Sequence, residues 1–437
     1  MNSHLFTLAE PAGRCTSAPQ SMLPVSGFDN ETQRSYRAIE RILLLDGNTR
    51  SALAATRSLG KRGLHVVVGD HMKRTLAGVS KYCSETFTYP APDKDPQGFV
   101  AAIKAECSQR RVSVVFPMTG ISTATVLKHR DQLEHLSLPF AEYDVLEALT
   151  NKWKLFELAR QLNVSIPRTF FVGNVRSLDD ICPRLQFPAV LKPYRSEIWS
   201  NGRWISAGVR YVNSVQELLA TVARIEYFNQ HPFLIQEYIS GEAQGVFTLY
   251  DHGRPVVFFS HRRLRERPPS GGVSVLCESI TPNPAAERMA KALLDSVGWH
   301  GVAMVEFKVS ADGTPFLMEV NGRFWGSLQL SIDAGVDFPW LLYQLATGRK
   351  LDKIAGYAAG VRCRWLMGDL ASLYRVLISN GSSRFLLRSS KARSVLDVFR
   401  CFDKSTRYEV NRWDDIKPCL LELGQLLCRW NVQKSPV

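Results

Sequence analysis

No stretch of this sequence approaches the roughly 20 consecutive apolar residues that a bilayer-spanning helix requires, and no long apolar run opens it in the manner of a secretory leader. A membrane span is therefore not expected. There is also no C-x-x-C pair. The nine cysteines are scattered and odd in number, which argues against a disulfide framework or a structural zinc site and fits a reducing, cytoplasmic setting. The glycine-rich G-x-G-x-x-G fingerprint is missing too. Only Gly47 follows the first apolar run, so no dinucleotide site is expected there. Internal repeats and low-complexity tracts are absent. What remains is 437 residues, 45% hydrophobic and 22% charged, which suits two or three globular domains and excludes collagen-like, coiled-coil and wholly disordered chains. Lys plus Arg number 54 against 41 Asp plus Glu, a net charge of +13. Such a surplus suits nucleic acid, an anionic membrane face or a polyanionic small molecule, and does not by itself choose among them.

Residues 1–36 mix Pro, Ser and Gly without periodicity and read as a disordered tail. Order is expected from RILLLDGN (41–48), a buried-strand run closed by a turn. The helical SALAATRSLGKRG and the strand LHVVVGD follow. With SVVFPMTG (113–120) and the helical ISTATVLKHRDQLEHL, this predicts a Rossmann-like α/β domain over 37–150 with a parallel sheet. From Asn151 the pattern becomes α+β. A helix leads into Pro-bounded strands, and then come two antiparallel hairpins with turns at Asp251-His252-Gly253 and Asp312-Gly313, all within 151–350. Residues 351–437 form a basic, aromatic region, with RCRWLMGDLASLYRVL and LLELGQLLCRW reading as amphipathic helices.

Acidic residues inside apolar strands are costly to bury and so mark chemistry. MVEFKV places Glu306 among apolar neighbours. FLMEVNGRF places Glu319 and Asn321 two apart, on one face of a strand. The Asp312-Gly313 turn lets the two strands pair, which would gather two carboxylates and an amide oxygen into a hard-oxygen set suited to Mg²⁺. Lys192 ends the apolar strand PAVLKP and Lys152 opens a helix; two such cations can hold polyphosphate oxygens. LIQEYISGEAQGV offers a strand edge for an adenine and an acid for ribose hydroxyls. SHRRLRERPPSGGVSV runs a basic strand into a glycine-containing loop that could clamp a carboxylate and close over it. That strip lacks the interleaved aromatics of a base-stacking surface, so no nucleic-acid partner is expected.

In this order the segments resemble the ATP-grasp superfamily, in the carboxylate–amine ligase branch related to the carbamoyl-phosphate synthase large subunit. The likeness runs over roughly residues 40–420 and is densest in QEYISGE, HRRLRERPPSGGVSVLCESI, GWHGVAMVEFK and FLMEVNGRFWGSLQL. The resemblance implies a two-lobed ATP-grasp domain behind a pre-ATP-grasp domain, with ATP and Mg²⁺ (or Mn²⁺) between the lobes. Matched residue by residue, it implies that Lys152 and Lys192 bind nucleotide phosphates and that Gln236, Glu237 and Ile239 border the adenine. Glu306, Glu319 and Asn321 match metal ligands. Arg323 matches the arginine that acts on the transferring phosphate or acyl intermediate, and Arg263 and Arg265 lie on a substrate-facing basic strand.

Two features depart from the family pattern. The small phosphate-covering loop is replaced by the bulkier RSEIWSNGRWISAG, with Gly202 and Gly208. The ribose acid is shifted, so that Ala243 stands where it is expected and Glu242 is the nearest candidate. The implied activity is amide or peptide-like bond formation from a small carboxylate and an amine through an acyl phosphate. Carboxylation or carbamoyl transfer through carboxyphosphate, or a silent nucleotide-binding partner protein, is the alternative. A homodimer is a further expectation.

Overall fold

The computed structural model describes residues 40–195, 197–200, 203–206, 208–267, 271–378 and 405–434. The expected tail over 1–36 lies outside the described residues. Strand β1 (Arg41–Leu44) is followed by α1 (Arg50–Lys61), β2 (His65–Asp70), β3 (Glu85–Thr88), α2 (Pro96–Arg110), β4 (Val114–Phe116), α3 (Gly120–Lys128) and α4 (Tyr143–Thr150). The strands form a parallel sheet in the order β3-β2-β1-β4. β1, β2 and β4 are buried almost throughout, because helices cover both faces of a parallel sheet. The order reverses at β1, and the crevice beyond the carboxyl ends of β1 and β4 is where such sheets hold ligands. Asp46 ties that end together. It lies just past β1 with φ 56°, and its Oδ2 accepts from the backbone N–H of Met118 (3.0 Å) and Thr119 (2.8 Å).

Helix α5 (Lys152–Gln161), capped by Asn151, leads to β5 (Thr169–Val172), the short α6 (Leu178–Ile181) and β6 (Ala189–Pro193). Next come β7 (Glu197–Ser200), β8 (Arg203–Ser206), β9 (Arg210–Val212), α7 (Val215–Arg224), α8 (Glu226–Gln230) and β10 (Phe233–Glu237). β5-β10-β6-β9 is an antiparallel sheet with its own apolar core, built from residues such as Leu191, Val212, Phe228 and Ile235. The bulky segment after Lys192 forms the two-stranded β7–β8 hairpin; Gly202 falls outside the described residues.

The largest sheet begins with β11 (Glu242–Asp251), β12 (Arg254–Arg267) and β13 (Val273–Ser279). After α9 (Pro284–Ser296) it continues with β14 (Gly301–Val309) and β15 (Pro315–Asn321). Both expected hairpins form. His252 and Gly253 have φ 43° and 81°, the two positive values that a two-residue turn needs to match strand twist. Helices α10 (Leu328–Ala334) and α11 (Phe338–Ala346) pack beneath the sheet, where Trp325 lies 4.4 Å from Phe247 between ring centroids.

The C-terminal region departs from the helical expectation at its start. Arg362–Arg364 is a strand, β16, paired with β13, and after α12 (Leu366–Ile378) the strand β17 (Thr406–Tyr408) extends the same sheet to the order β15-β14-β11-β12-β13-β16-β17. The reason is burial. Arg364 is fully buried on Asp369 and Cys363 is fully buried opposite Cys277, which an exposed amphipathic helix would not allow. Helix α13 (Lys417–Lys434) follows. Among the described residues, no helix is long and apolar enough to cross a membrane.

Candidate functional site

The site is built where β14 and β15 pair. Glu306 stands directly opposite Glu319, and the ladder shifts register immediately after Glu306. Side chains two apart on β15 share a face, so Asn321 joins them. Its Nδ2 donates to Glu306 Oε1 (3.4 Å) and to Glu319 Oε1 (3.2 Å). All three side chains are partly exposed, while their neighbours Val305, Phe307 and Val320 are buried. Beyond Asn321 the chain must pass tightly under α4. A Cβ on Gly322 would lie 2.3 Å from Leu146 Cδ1, so only glycine lets β15 end against that helix.

Two cations close on the carboxylates, both too buried to be ordinary surface lysines. Lys152, 5% exposed, sits at the first turn of α5, and its Nζ lies 2.9 Å from Glu319 Oε2. Lys192, 9% exposed, is the fourth residue of β6, with Nζ 3.6 Å from Met318 Sδ. Burial and the Lys152 charge pull the Lys192 ammonium down to about 8, against the opposing attraction of Glu319 and Glu306. Burial, with the Glu319 charge alongside, pushes Glu306 up to about 7 despite the pull of Arg263. The Lys152 ammonium holds Glu319 well below the usual carboxylate range. Burial thus raises one carboxylate while Lys152 lowers the other, and the pair is driven apart in acidity.

The arginines divide. Arg263 Nη2 lies 2.5 Å from Glu306 Oε2, and its Nη1 donates to Glu266 Oε1 (2.9 Å) and to the Gly272 carbonyl (3.0 Å). Arg265 instead donates through Nε to Asp369 Oδ1 (2.9 Å). Residues two apart on a regular strand share a face, but β12 is irregular between Arg263 and Arg265, and the second guanidinium turns to the C-terminal region. Arg323 donates to its neighbour, the Phe324 carbonyl (2.8 Å), and to Asn321 Oδ1 (3.3 Å). The expected closing loop over 266–275 is narrower than its bounds, since Glu266 and Arg267 end β12 and Val273 begins β13; residues 268–270 lie outside the described residues.

On the other sheet, Gln236 is 1% exposed. Its Nε2 donates to Thr169 Oγ1 (2.7 Å), and its buried Oε1 has no partner among the described residues. Glu237 Oε1 accepts from the Arg168 N–H (2.8 Å), and Ile239 is half-buried where the chain leaves β10 for β11. Glu242 accepts from Gln244 Nε2 (2.8 Å) and lies 3.4 Å from Arg262 Nη1.

A cavity of about 170 Å³ opens beside the carboxylates, lined by Lys152, Glu319, Asn321 and Arg323 and, from elsewhere in the chain, Thr123 and Arg195. Arg195 and the start of α3 were not legible as site residues. Arg195 stands in the atypical segment after Lys192, and Thr123 reaches the site only because the capping box of Thr119 and Ser122 starts α3 beside it.

Residues 229–368 match a family described as ATP-grasp in the biosynthetic pathway with Ter operon. The chain is 24% identical over 270 residues to the carbamoyl phosphate synthase large chain of Thermoanaerobacter pseudethanolicus, spanning 56% of this chain and 23% of that one. It is 22% identical over 253 residues to a D-aspartate ligase of Enterococcus faecium, spanning 54% of this chain and 59% of that one. The matches thus take in about a quarter of the synthase and somewhat over half of the ligase. Among solved structures, an L-amino acid ligase from Bacillus licheniformis superposes with a TM-score of 0.56 at 18% identity, covering 70% of this chain and 74% of that one. A biotin carboxylase from Campylobacter jejuni gives 0.58 at 16%, covering 74% of each.

Proposed function

We propose that this chain, an ATP-grasp protein by fold and by the match over residues 229–368, is an ATP-dependent carboxylate–amine ligase that releases ADP and phosphate. The observation that carries the reading is the convergence of Glu306, Glu319 and Asn321 beside the buried Lys152 and Lys192. Two carboxylates and an amide at one spot are a hard-oxygen donor set that fits Mg²⁺, with Mn²⁺ as a substitute. A bound cation would neutralise phosphate charge and fix phosphate oxygens in place.

The remaining tasks fall to the protein's own groups. Lys152 and Lys192 offer point charges to phosphate oxygens, and the lowered pKa of Lys192 marks a buried charge that an incoming anion would stabilise. The partnerless Oε1 of Gln236 is an acceptor suited to the adenine amino group, with Glu237 and Ile239 beside it and Glu242 toward the ribose. Arg323 stands on the rim of the cavity, where a substrate carboxylate would meet the γ-phosphate. Carboxylate oxygen attacks the γ-phosphorus, and the bond to the β,γ-bridging oxygen breaks to leave ADP. The amine then attacks the acyl carbon, the acyl C–O bond breaks so that phosphate departs with the oxygen that came from the carboxylate, and the amine loses a proton. Positioning and charge stabilisation supply most of the catalysis in such a transfer. Arg263, pinned between Glu306 and the Gly272 carbonyl, would link loop position to the site; Arg265 acts through the C-terminal region if at all.

The same reading takes 37–150 as the pre-ATP-grasp domain, 151–350 as the ATP-grasp domain and 351–437 as a C-terminal addition. It sets the enzyme in the cytoplasm, acting on small acids and amines, with two chains as the assembly. Screening acid–amine pairs for ADP release, with mass detection of the product, tests it. Amine-dependent ADP release with a condensed product supports it. Bicarbonate-dependent release without an amine product would replace it with carboxyphosphate chemistry.

A further inference from the structure

A second cluster of ligating side chains lies at the opposite end of the large sheet. Asp251 ends β11, His252 opens the hairpin turn and His300 stands just before β14. One ligand atom from each lies within 4.8 Å of the other two. Gly245 pairs with Glu306, and Asp251 is six residues further along β11, so about 20 Å of strand separates this cluster from the carboxylates of the ligase site.

The local geometry leaves electron-rich atoms facing one another. The His252 N–H donates to His300 Nδ1 (3.2 Å), so that nitrogen is the ring's acceptor, and a metal bound there would take the place of this N–H. The Asp251 carboxylate faces the same nitrogen at 3.9 Å. The two imidazoles stack with centroids 4.0 Å apart and planes within 13°. One carboxylate and two imidazoles gathered at one point form a ligand set that a cation can bridge. The donors are two nitrogens and one oxygen, which favours Zn²⁺, Co²⁺, Ni²⁺ or Cu²⁺ over Mg²⁺ or Ca²⁺.

We propose that Asp251, His252 and His300 form a transition-metal site that clamps the β11–β12 hairpin to the start of β14. Ligand bonds of roughly 2.0–2.2 Å require the donors to draw closer than they now stand. The exposed His252 ring can supply that movement by rotating out of the stack, and the backbone can stay where it is. Three protein ligands leave at least one position open to water or an outside donor.

The test must separate this site from the oxygen-rich one. Full-length protein is titrated with Co²⁺ followed by d–d absorption, and with Cu²⁺ followed by electron paramagnetic resonance, where imidazole ligands split the signal and an all-oxygen site does not. One nitrogen-ligated equivalent is expected, retained in Glu319→Ala and weakened at least about tenfold in His300→Ala and Asp251→Asn. His252→Gly guards against misfolding, because glycine accepts the φ of 43° and removes only the ligand. A nitrogen-split signal unchanged in His252→Gly and His300→Ala overturns the proposal, as does the absence of any nitrogen-ligated equivalent in the wild type. Because the readout is spectroscopic and survives Glu319→Ala, its failure is distinguishable from failure of the ligase reading.

Discussion

Replacing Glu319 is the sharpest perturbation of the proposed ligase. In Glu319→Gln the side chain keeps its length and an oxygen for Asn321, whose Nδ2 now donates to Glu319 Oε1 at 3.2 Å, but it loses the charge. Two consequences follow from the geometry. The metal set falls from two carboxylates to one, and Lys152, only 5% exposed, loses the anion that sits 2.9 Å from its Nζ. The stability cost is about 1–3 kcal/mol, because water screens Glu319, whose side chain is 31% exposed, while the buried Lys152 loses a counter-charge. The catalytic cost is larger, since charge stabilisation of phosphoryl transfer is lost at its centre. A fall in kcat of about 10³-fold is expected, equivalent to about 4 kcal/mol. The assay is ADP release by the folded variant at saturating ATP, repeated over a wide Mg²⁺ range, with circular dichroism and a thermal melt to establish folding. Turnover within tenfold of wild type, with an unaltered Mg²⁺ dependence, would refute the metal assignment.

Lys192→Met should weaken ATP binding by about 10- to 100-fold, the worth of one charge-assisted contact, and calorimetry showing unchanged affinity would remove Lys192 from the phosphate site. The same lysine gives a pH signature. Its ammonium titrates near 8, so as pH rises above that value the free protein loses the charge and ATP affinity falls. Nucleotide binding at pH 8.5 should then take up a proton, seen as a heat that differs between buffers of different ionisation enthalpy. Arg57→Ala should destabilise the fold by about 3 kcal/mol without touching the site: Arg57 is 3% exposed and donates to Asp415 and to the carbonyls of Glu409 and Val410. Asp415 keeps its bonds from Ser80 Oγ and the Lys81 N–H, which holds the loss near the lower end for a broken buried pair, and a urea melt measures it.

The carboxylate pair was legible because strand periodicity is exact. Glu319 and Asn321 two apart, with an Asp-Gly turn behind them, can only face the strand that carries Glu306. The parallel sheet over the first third was legible for a similar reason, namely buried runs alternating with helical ones. Other placements depend on facts that no local pattern carries. The divergence of Arg263 from Arg265 comes from an irregularity in one ladder, which spacing alone would have hidden. Lys152 and Lys192 are each common surface residues by type; their burial is set by the approach of β6 and α5 to β15. Arg195 and Thr123 reach the cavity from segments far apart in sequence, and the signal that could have found Thr123 was the capping pattern T-x-x-S at 119–122. Arg362–Arg364 carries so much charge that only pairing on both sides, with β13 and β17, makes it a strand.

The C-terminal region bears on the proposed ligase site through Asp369. Asp369, 1% exposed at the start of α12, accepts from Arg265 on β12 and from Arg364 on β16 (2.7 Å). β12 is also the strand that carries Arg263 to Glu306. The C-terminal region therefore touches β12 at Arg265 while the Glu306 carboxylate meets it at Arg263. In Asp369→Asn the Arg265 and Arg364 guanidiniums would lose a buried counter-charge, a defect worth about 3 kcal/mol when partner removal leaves a charge uncompensated. If β12 shifts in response, KM for the carboxylate substrate should change while the affinity for ATP, proposed to rest on Lys152 and Lys192 on other elements, does not. A variant that loses stability with both constants intact would show that the C-terminal strands brace the fold alone. A variant that loses ATP binding as well would show that the two sheets move as one.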